Sequence, residues 1–169
     1  MKSILVSTAL VVALCLSRHA DAGEWDAVGG GCSITPATVA NANVSASLGE
    51  LAIKSGVNGT VFATCPIQYP NGITPSNLYV LLKDDSSSSS DVVVVTYYKQ
   101  DKSSGAVTQI SSIFSGITSG CASTGAGIRA CSTTFSDTFN PNLYFYFVSI
   151  QLNRTVTTAN EIVYGVTLF

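Results

Sequence analysis

Apolar and polar residues alternate in short runs along most of this chain. No segment after residue 22 repeats apolar residues at i, i+3 and i+4 over three turns, so helices are not predicted. Strand signals recur instead. Thr35 to Leu51 opens weakly, with Val44, Ala46 and Leu48 alternating. Asn58-Gly59, a hairpin-turn dipeptide, separates Leu51-Ala52-Ile53 from Thr60 to Cys65. Pro66 and Pro70 interrupt the next stretch. Asn77 to Lys83 reads as a strand and ends at Asp84-Asp85 and a run of serines, Ser86 to Ser90, which is turn or loop chemistry. Val92 to Lys99 is β-branched and aromatic. Asp101 to Gly105 predicts a turn, Ala106 to Phe114 a strand, and Arg129 to Phe135 another. Asn140-Pro141-Asn142 predicts the turn before Leu143 to Asn153, the strongest strand of the chain. Thr157 to Asn160 then turns it into Glu161 to Phe169. Eight or nine strands with turn signals every 8–12 residues or so predict one antiparallel β-sandwich, jelly-roll or immunoglobulin-like.

Two strands are apolar on both faces. In Leu143 to Leu152, Tyr144, Tyr146, Val148, Ile150 and Leu152 share one face. Leu143, Phe145, Phe147, Ser149 and Gln151 share the other. Val92 to Tyr98 behaves likewise. The outer face of a sandwich in water should be polar. One reading is a central strand whose outer face is covered by a loop. The other is a patch at Tyr144, Tyr146, Val148 and Ile150 that docks a second subunit or a ligand.

The first 22 residues stand apart. Lys2 precedes an uncharged apolar run, Ile4 to Leu16, too short to span a bilayer as a helix. Ala20-Asp21-Ala22 fits the small-x-small pattern of signal peptidase. Residues 1–22 therefore read as a secretory signal peptide, and residues 23–169 as the mature domain. No later stretch approaches the length of a membrane span. The expected location is periplasmic, extracellular or cell-surface.

Cleavage after Ala22 removes Lys2, Arg18 and Asp21, leaving six basic and nine acidic residues and a net charge of −3. That balance gives no electrostatic reason to bind nucleic acid or an anionic membrane. It also removes His19, the only histidine. The mature domain thus has no Ser-His or Cys-His nucleophile arrangement and no histidine metal site. No cofactor is implied.

Loss of Cys15 leaves Cys32, Cys65, Cys121 and Cys131. An even count in an exported domain reads as two disulfides. Three pairings are open. The favoured one joins nearest neighbours, Cys32–Cys65 and Cys121–Cys131.

Other candidate chemistry weakens on inspection. Gly125-Ala126-Gly127-Ile128-Arg129-Ala130 matches the dinucleotide fingerprint but lacks the strand before it and the helix after it. Carboxylates are the remaining acid–base groups, and most fall in turns or near the start of the mature chain. Asp84, Asp85 and Asp91 could ligate calcium, without an EF-hand pattern. Asn43-Val44-Ser45, Asn58-Gly59-Thr60 and Asn153-Arg154-Thr155 are glycosylation sequons.

An early Cys, the strand ending Thr64-Cys65-Pro66-Ile67, a polar middle and the Tyr-rich strand before Arg154 and Tyr164-Gly165-Val166-Thr167-Leu168 give the chain a resemblance. It resembles a loose group of uncharacterised exported bacterial proteins. The resemblance implies a small disulfide-bonded β-sandwich and supplies no activity. The expectation is a secreted, non-enzymatic domain with a structural or interaction role, including self-association or a protein partner. Alternatives are an extracellular glycan-binding module and a carboxylate-dependent hydrolase.

Overall fold

The computed structural model describes residues 24–35, 44–47, 49–86, 90–116, 121–125 and 127–169. The expected signal peptide lies outside them. The described residues form two antiparallel sheets packed face to face, so the domain is a β-sandwich. Among these residues no helix is long and apolar enough to cross a membrane.

The described residues form twelve strands: β1 (Trp25–Val28), β2 (Ser33–Ile34), β3 (Val44–Ser47), β4 (Glu50–Ile53), β5 (Gly59–Ile67), β6 (Asn77–Asp84), β7 (Val92–Asp101), β8 (Val107–Phe114), β9 (Cys121–Gly125), β10 (Ile128–Thr134), β11 (Tyr144–Arg154) and β12 (Glu161–Leu168). One sheet runs β3-β4-β12-β6-β10-β9, with β1 added to β12. The other runs β2-β5-β11-β7-β8. The strands beyond the expected eight or nine are short border pieces such as β1, β2 and β9. Two to five residues are too few for a period of two to register.

Eight of the eleven connections between successive described strands, such as β5 to β6 and β11 to β12, cross between the sheets. Asn58-Gly59 lies on one of them. It does not close a hairpin, because β4 pairs with β3 and β12 while β5 pairs with β11 and β2. The Arg154 guanidinium holds this loop by donating to the Lys54 and Val57 carbonyls.

The core lies between the sheets. Val61, Ala63 and Cys65 of β5, Val93, Val95 and Tyr97 of β7, and Val148, Ile150 and Leu152 of β11 face Leu78, Val80 and Leu82 of β6 and Val163, Val166 and Leu168 of β12. Each fully buried Val or Leu contributes about 1.5–3 kcal/mol. Gly29 lets the turn after β1 press against β12, since a Cβ there would lie 2.2 Å from the Val163 carbonyl oxygen.

Both expected disulfides form, Cys32–Cys65 and Cys121–Cys131. Cys121 and Cys131 are direct partners in the β9–β10 ladder. The β2–β5 register places Cys32 opposite Cys65 in the same way. Each bridge therefore ties a border strand to its neighbour.

Candidate functional site

β11 is the middle strand of the five-stranded sheet, flanked by β5 and β7 over nearly its whole length. Its alternation decides which residues meet the core. Tyr146, Val148 and Ile150 point inward and are at most 5 % exposed, while Phe145 on the other face is 57 % exposed. This corrects the expected interaction face for Tyr146, Val148 and Ile150, which belong to the core face of the strand, while Tyr144 at its end is half-buried and borders an open groove. The physical reason is that both faces are apolar, so period-two reading cannot rank them.

The inward tyrosines fill the end of the sandwich as an aromatic cluster. The Tyr146 and Phe139 rings lie 4.0 Å apart, and Phe139 also meets Tyr69 at 4.8 Å. Their hydroxyls find partners: Tyr69 donates to the Leu168 carbonyl, and the Asn140 N–H donates to Tyr146. Burial, helped by Asp26 and Glu24, pushes the Tyr69 hydroxyl up to about 12. Burial likewise raises Tyr97 and Tyr146. Tyr144 is only half-buried, and the Lys99 ammonium sits 5.0 Å from its ring centre. Lys99 in turn pairs with Asp137 at 2.6 Å.

The outer face of this end is open. Gln68 of the segment after β5 and Gln100 of β7 flank Phe145 on the same face. The register sets Pro66 and Tyr98 on either side of Phe147. Tyr98 and Phe147 stack with ring centres 5.3 Å apart. The Lys102 ammonium lies 4.6 Å from the Phe145 ring centre and donates to the Pro141 carbonyl. Gln68, Gln100, Lys102, Tyr144, Phe145 and Phe147 line an open groove of about 660 Å³, which Tyr69, Phe139 and Tyr146 of the aromatic cluster also border. Among the described residues, its only formally charged lining residue is Lys102. Its other polar groups are amides and hydroxyls, and it contains no carboxylate. Phe145 and Phe147 stood out in the sequence as one face of a strand. Gln68, Gln100 and Lys102 carried no sequence signal, because only strand register brings them beside Phe145.

A second cluster of polar groups lies at the other end of β11, inside the sandwich. Arg154 and Glu161 are both buried, 3.8 Å apart, and Asp84 is the ladder partner of Glu161. Burial pushes the Glu161 carboxyl up to about 7. Arg154 opposes the shift, while Asp91 and Asp84 reinforce it. Asp84 accepts from the Ser115 hydroxyl. Burial also acts to raise Asp91, but hydrogen bonds from Thr155 and Ser86 outweigh it and hold this carboxyl below its usual range. Asp85 pairs with Lys83 and accepts from Asn160. Asp84, Asp91 and Glu161 are thus at most 4 % exposed and sit in the interior, not in a cleft. Among the described residues, no group of three or more His, Cys, Asp or Glu side chains is arranged to hold a metal ion.

The remaining motifs take ordinary places. Gly125 ends β9 and Ile128 opens β10, so the dinucleotide-like run is a hairpin. Asn58 is exposed in the β4–β5 loop. The Asn153 side chain bonds Thr60 and the Ser90 carbonyl. Asn43 lies outside the described residues.

No protein-family model matches the chain, and no curated protein does. Solved structures do show likeness. An isomalto-dextranase of Arthrobacter globiformis T6, complexed with panose, aligns at 11% identity and a TM-score of 0.46 over 87% of this chain and 23% of its own. The enzymatically active domain of tailspike protein 4 of bacteriophage CBA120 aligns at 13% identity and 0.42, over 87% and 19%. This chain therefore spans about a fifth of the length of those two. A family 11 carbohydrate-binding module of Clostridium thermocellum, in complex with a mixed-linked tetrasaccharide, aligns at 9% identity and 0.40 over 87% of both chains.

Proposed function

We propose that the protein is a secreted, non-enzymatic glycan-binding domain and that the groove over Phe145 and Phe147 is its site. The observation that carries this reading is the lining itself: the exposed ring of Phe145 and the half-buried rings of Phe147 and Tyr144, bordered by Gln68 and Gln100, with no carboxylate among the described lining residues. Sugars present C–H faces that pack on aromatic rings and hydroxyls that pair with amides, so they match this combination. A concave site of a few hundred cubic ångströms with a few placed polar groups is the usual form of a small-ligand site. The two disulfides suit an oxidising compartment outside the cytosol.

Electrophoresis through gels containing neutral polysaccharides (mixed-linkage β-glucan, xylan, dextran) tests the reading. Retardation in one of them is expected, abolished by the double substitution Phe145→Ala and Phe147→Ala. Unchanged mobility in every gel overturns it.

A second reading rests on the same face. Phe62, Phe114, Leu143 and Phe145 are 37–57 % exposed, an unusual concentration for a monomer surface. Two copies would pair through it. Light scattering decides: a concentration-dependent dimer supports pairing, and a monomer at every concentration removes it.

A further inference from the structure

The outer face of the five-stranded sheet carries an order that reaches beyond the groove. One row of hydroxyl residues crosses the strands. Ser33 of β2 is the ladder partner of Thr64 of β5, Thr64 of Ser149 in β11, Ser149 of Thr96 in β7, and Thr96 of Ser112 in β8. All five strands contribute one. With strands about 4.8 Å apart, the row is about 19 Å long.

Larger side chains stand on both sides of this row. Toward the groove lie Pro66, Phe147 and Tyr98. On the far side lie Phe62, Gln151, Val94 and Phe114, again ladder neighbours. Same-face neighbours two residues apart along a strand are about 7 Å from one another, so the short hydroxyl side chains form the floor of a trough with taller walls. Thr96 shows the depth: it is on the outer face yet only 6 % exposed. The Ser112 hydroxyl oxygen is buried in the same floor with no hydrogen-bond partner. Thr64 also lines the groove, so trough and groove are continuous.

The trough itself carries no charge, and Lys102 in the adjoining groove donates to the Pro141 carbonyl. The outward residues of the ladder, from Thr60, Asn153 and Val92 at one end to Gln100 and Val107 at the other, include no Asp, Glu, Lys or Arg. A face of rings, hydroxyls and amides complements a ligand that is neutral and polar along its edges. Its straight course across the strands complements a ligand that is extended and repeats at about the inter-strand spacing. An extended neutral glycan chain has both properties.

We infer that the ligand is a neutral linear polysaccharide, bound internally, whose chain leaves the Phe145 groove over Thr64 and runs along the hydroxyl row. This rests on the glycan-binding reading above. It adds that several consecutive sugars are held, so that affinity rises with chain length.

The test uses oligosaccharides cut from whichever neutral polysaccharide retards the protein, from disaccharide to hexasaccharide, titrated by calorimetry. Affinity rising at least tenfold from disaccharide to hexasaccharide is expected. Thr96→Val and Ser149→Ala should each weaken hexasaccharide binding about three- to tenfold, in line with one lost hydrogen bond, and leave disaccharide binding unchanged. Circular dichroism checks that each variant folds, and Thr→Val preserves shape on a strand. Equal affinity for all lengths, or row variants indistinguishable from the parent, overturns the extended site while glycan binding stands. If no polysaccharide retards the protein, both fall together.

Discussion

Phe145 and Tyr146 are chain neighbours on opposite faces of β11, one 57 % exposed and the other 5 %. A single peptide step thus separates a residue offered to solvent from one that closes the core. Truncating each should have opposite consequences. Phe145→Ala is expected to leave thermal stability nearly unchanged and to weaken glycan binding about tenfold or more. Tyr146→Ala removes a ring packed 4.0 Å from Phe139 and should cost about 3–5 kcal/mol of stability. Denaturant titration and calorimetry on the two variants read the contrast directly.

Arg154 is the structural counterpart at the far end of the strand. Its guanidinium donates to the carbonyls of Lys54, Val57 and Ala159 and faces Glu161. Arg154→Met should destabilise the domain by about 3–5 kcal/mol, because it leaves buried acceptors and a buried carboxyl without their partner. A drop in denaturant midpoint without a change in slope is the expected signature.

Stability should also depend on pH in two windows. The Glu161 carboxyl is raised in the folded state, from 4.5 to about 7. Between those values the folded chain holds a proton that the unfolded chain has released. Stability therefore falls as pH rises across that window. Asp85 and Asp91 are lowered below 3.8, so their contribution is present above that value and is lost as pH falls through the acid range. Maximum stability is expected between about pH 4 and 5, where neither loss is complete. Thermal melts across pH should show this, and Glu161→Gln should flatten the decline between pH 5 and 7 while leaving the acid limb in place.

The two bridges differ in the chain they close. Cys32–Cys65 spans 33 residues and Cys121–Cys131 spans 10. Loop-closure entropy assigns roughly 3.7 kcal/mol to the first and roughly 2.7 kcal/mol to the second. Replacing the first pair with serine should therefore lower stability by about 1 kcal/mol more than replacing the second, as measured by urea unfolding.

Much of this architecture was legible in the sequence because it rests on local rules. Period-two alternation and regular turn chemistry predict the sandwich. The even cysteine count left by removing Cys15 predicts two bridges, paired with nearest neighbours. Features that depend on distant register were not legible. Asn58-Gly59 has hairpin chemistry, but β12 captures β4 and β11 captures β5, so the turn becomes a crossing between sheets. The two faces of β11 are equally apolar, so the ends of Tyr146 and Phe145 could be assigned only once β5 and β7 were in place. Arg154 offered an overlooked clue: it falls on the same period-two face as Ile150 and Leu152, which marks it as buried and in need of acceptors. Gln68 and Gln100 offered none, since their meeting beside Phe145 joins segments far apart in the chain.

The placement of the disulfides has one more consequence. Strand exchange between copies requires a border strand to peel away and be replaced by its counterpart from another molecule. β2 and β9 cannot do so while Cys32–Cys65 and Cys121–Cys131 are intact, because leaving the sheet would mean breaking a covalent bond. The opposite borders, β3 and β8, are held by hydrogen bonds and packing. Each sheet thus has one border that is locked, and any swapped assembly of this domain would have to begin at β3, at β8 or at β1, which pairs only with β12.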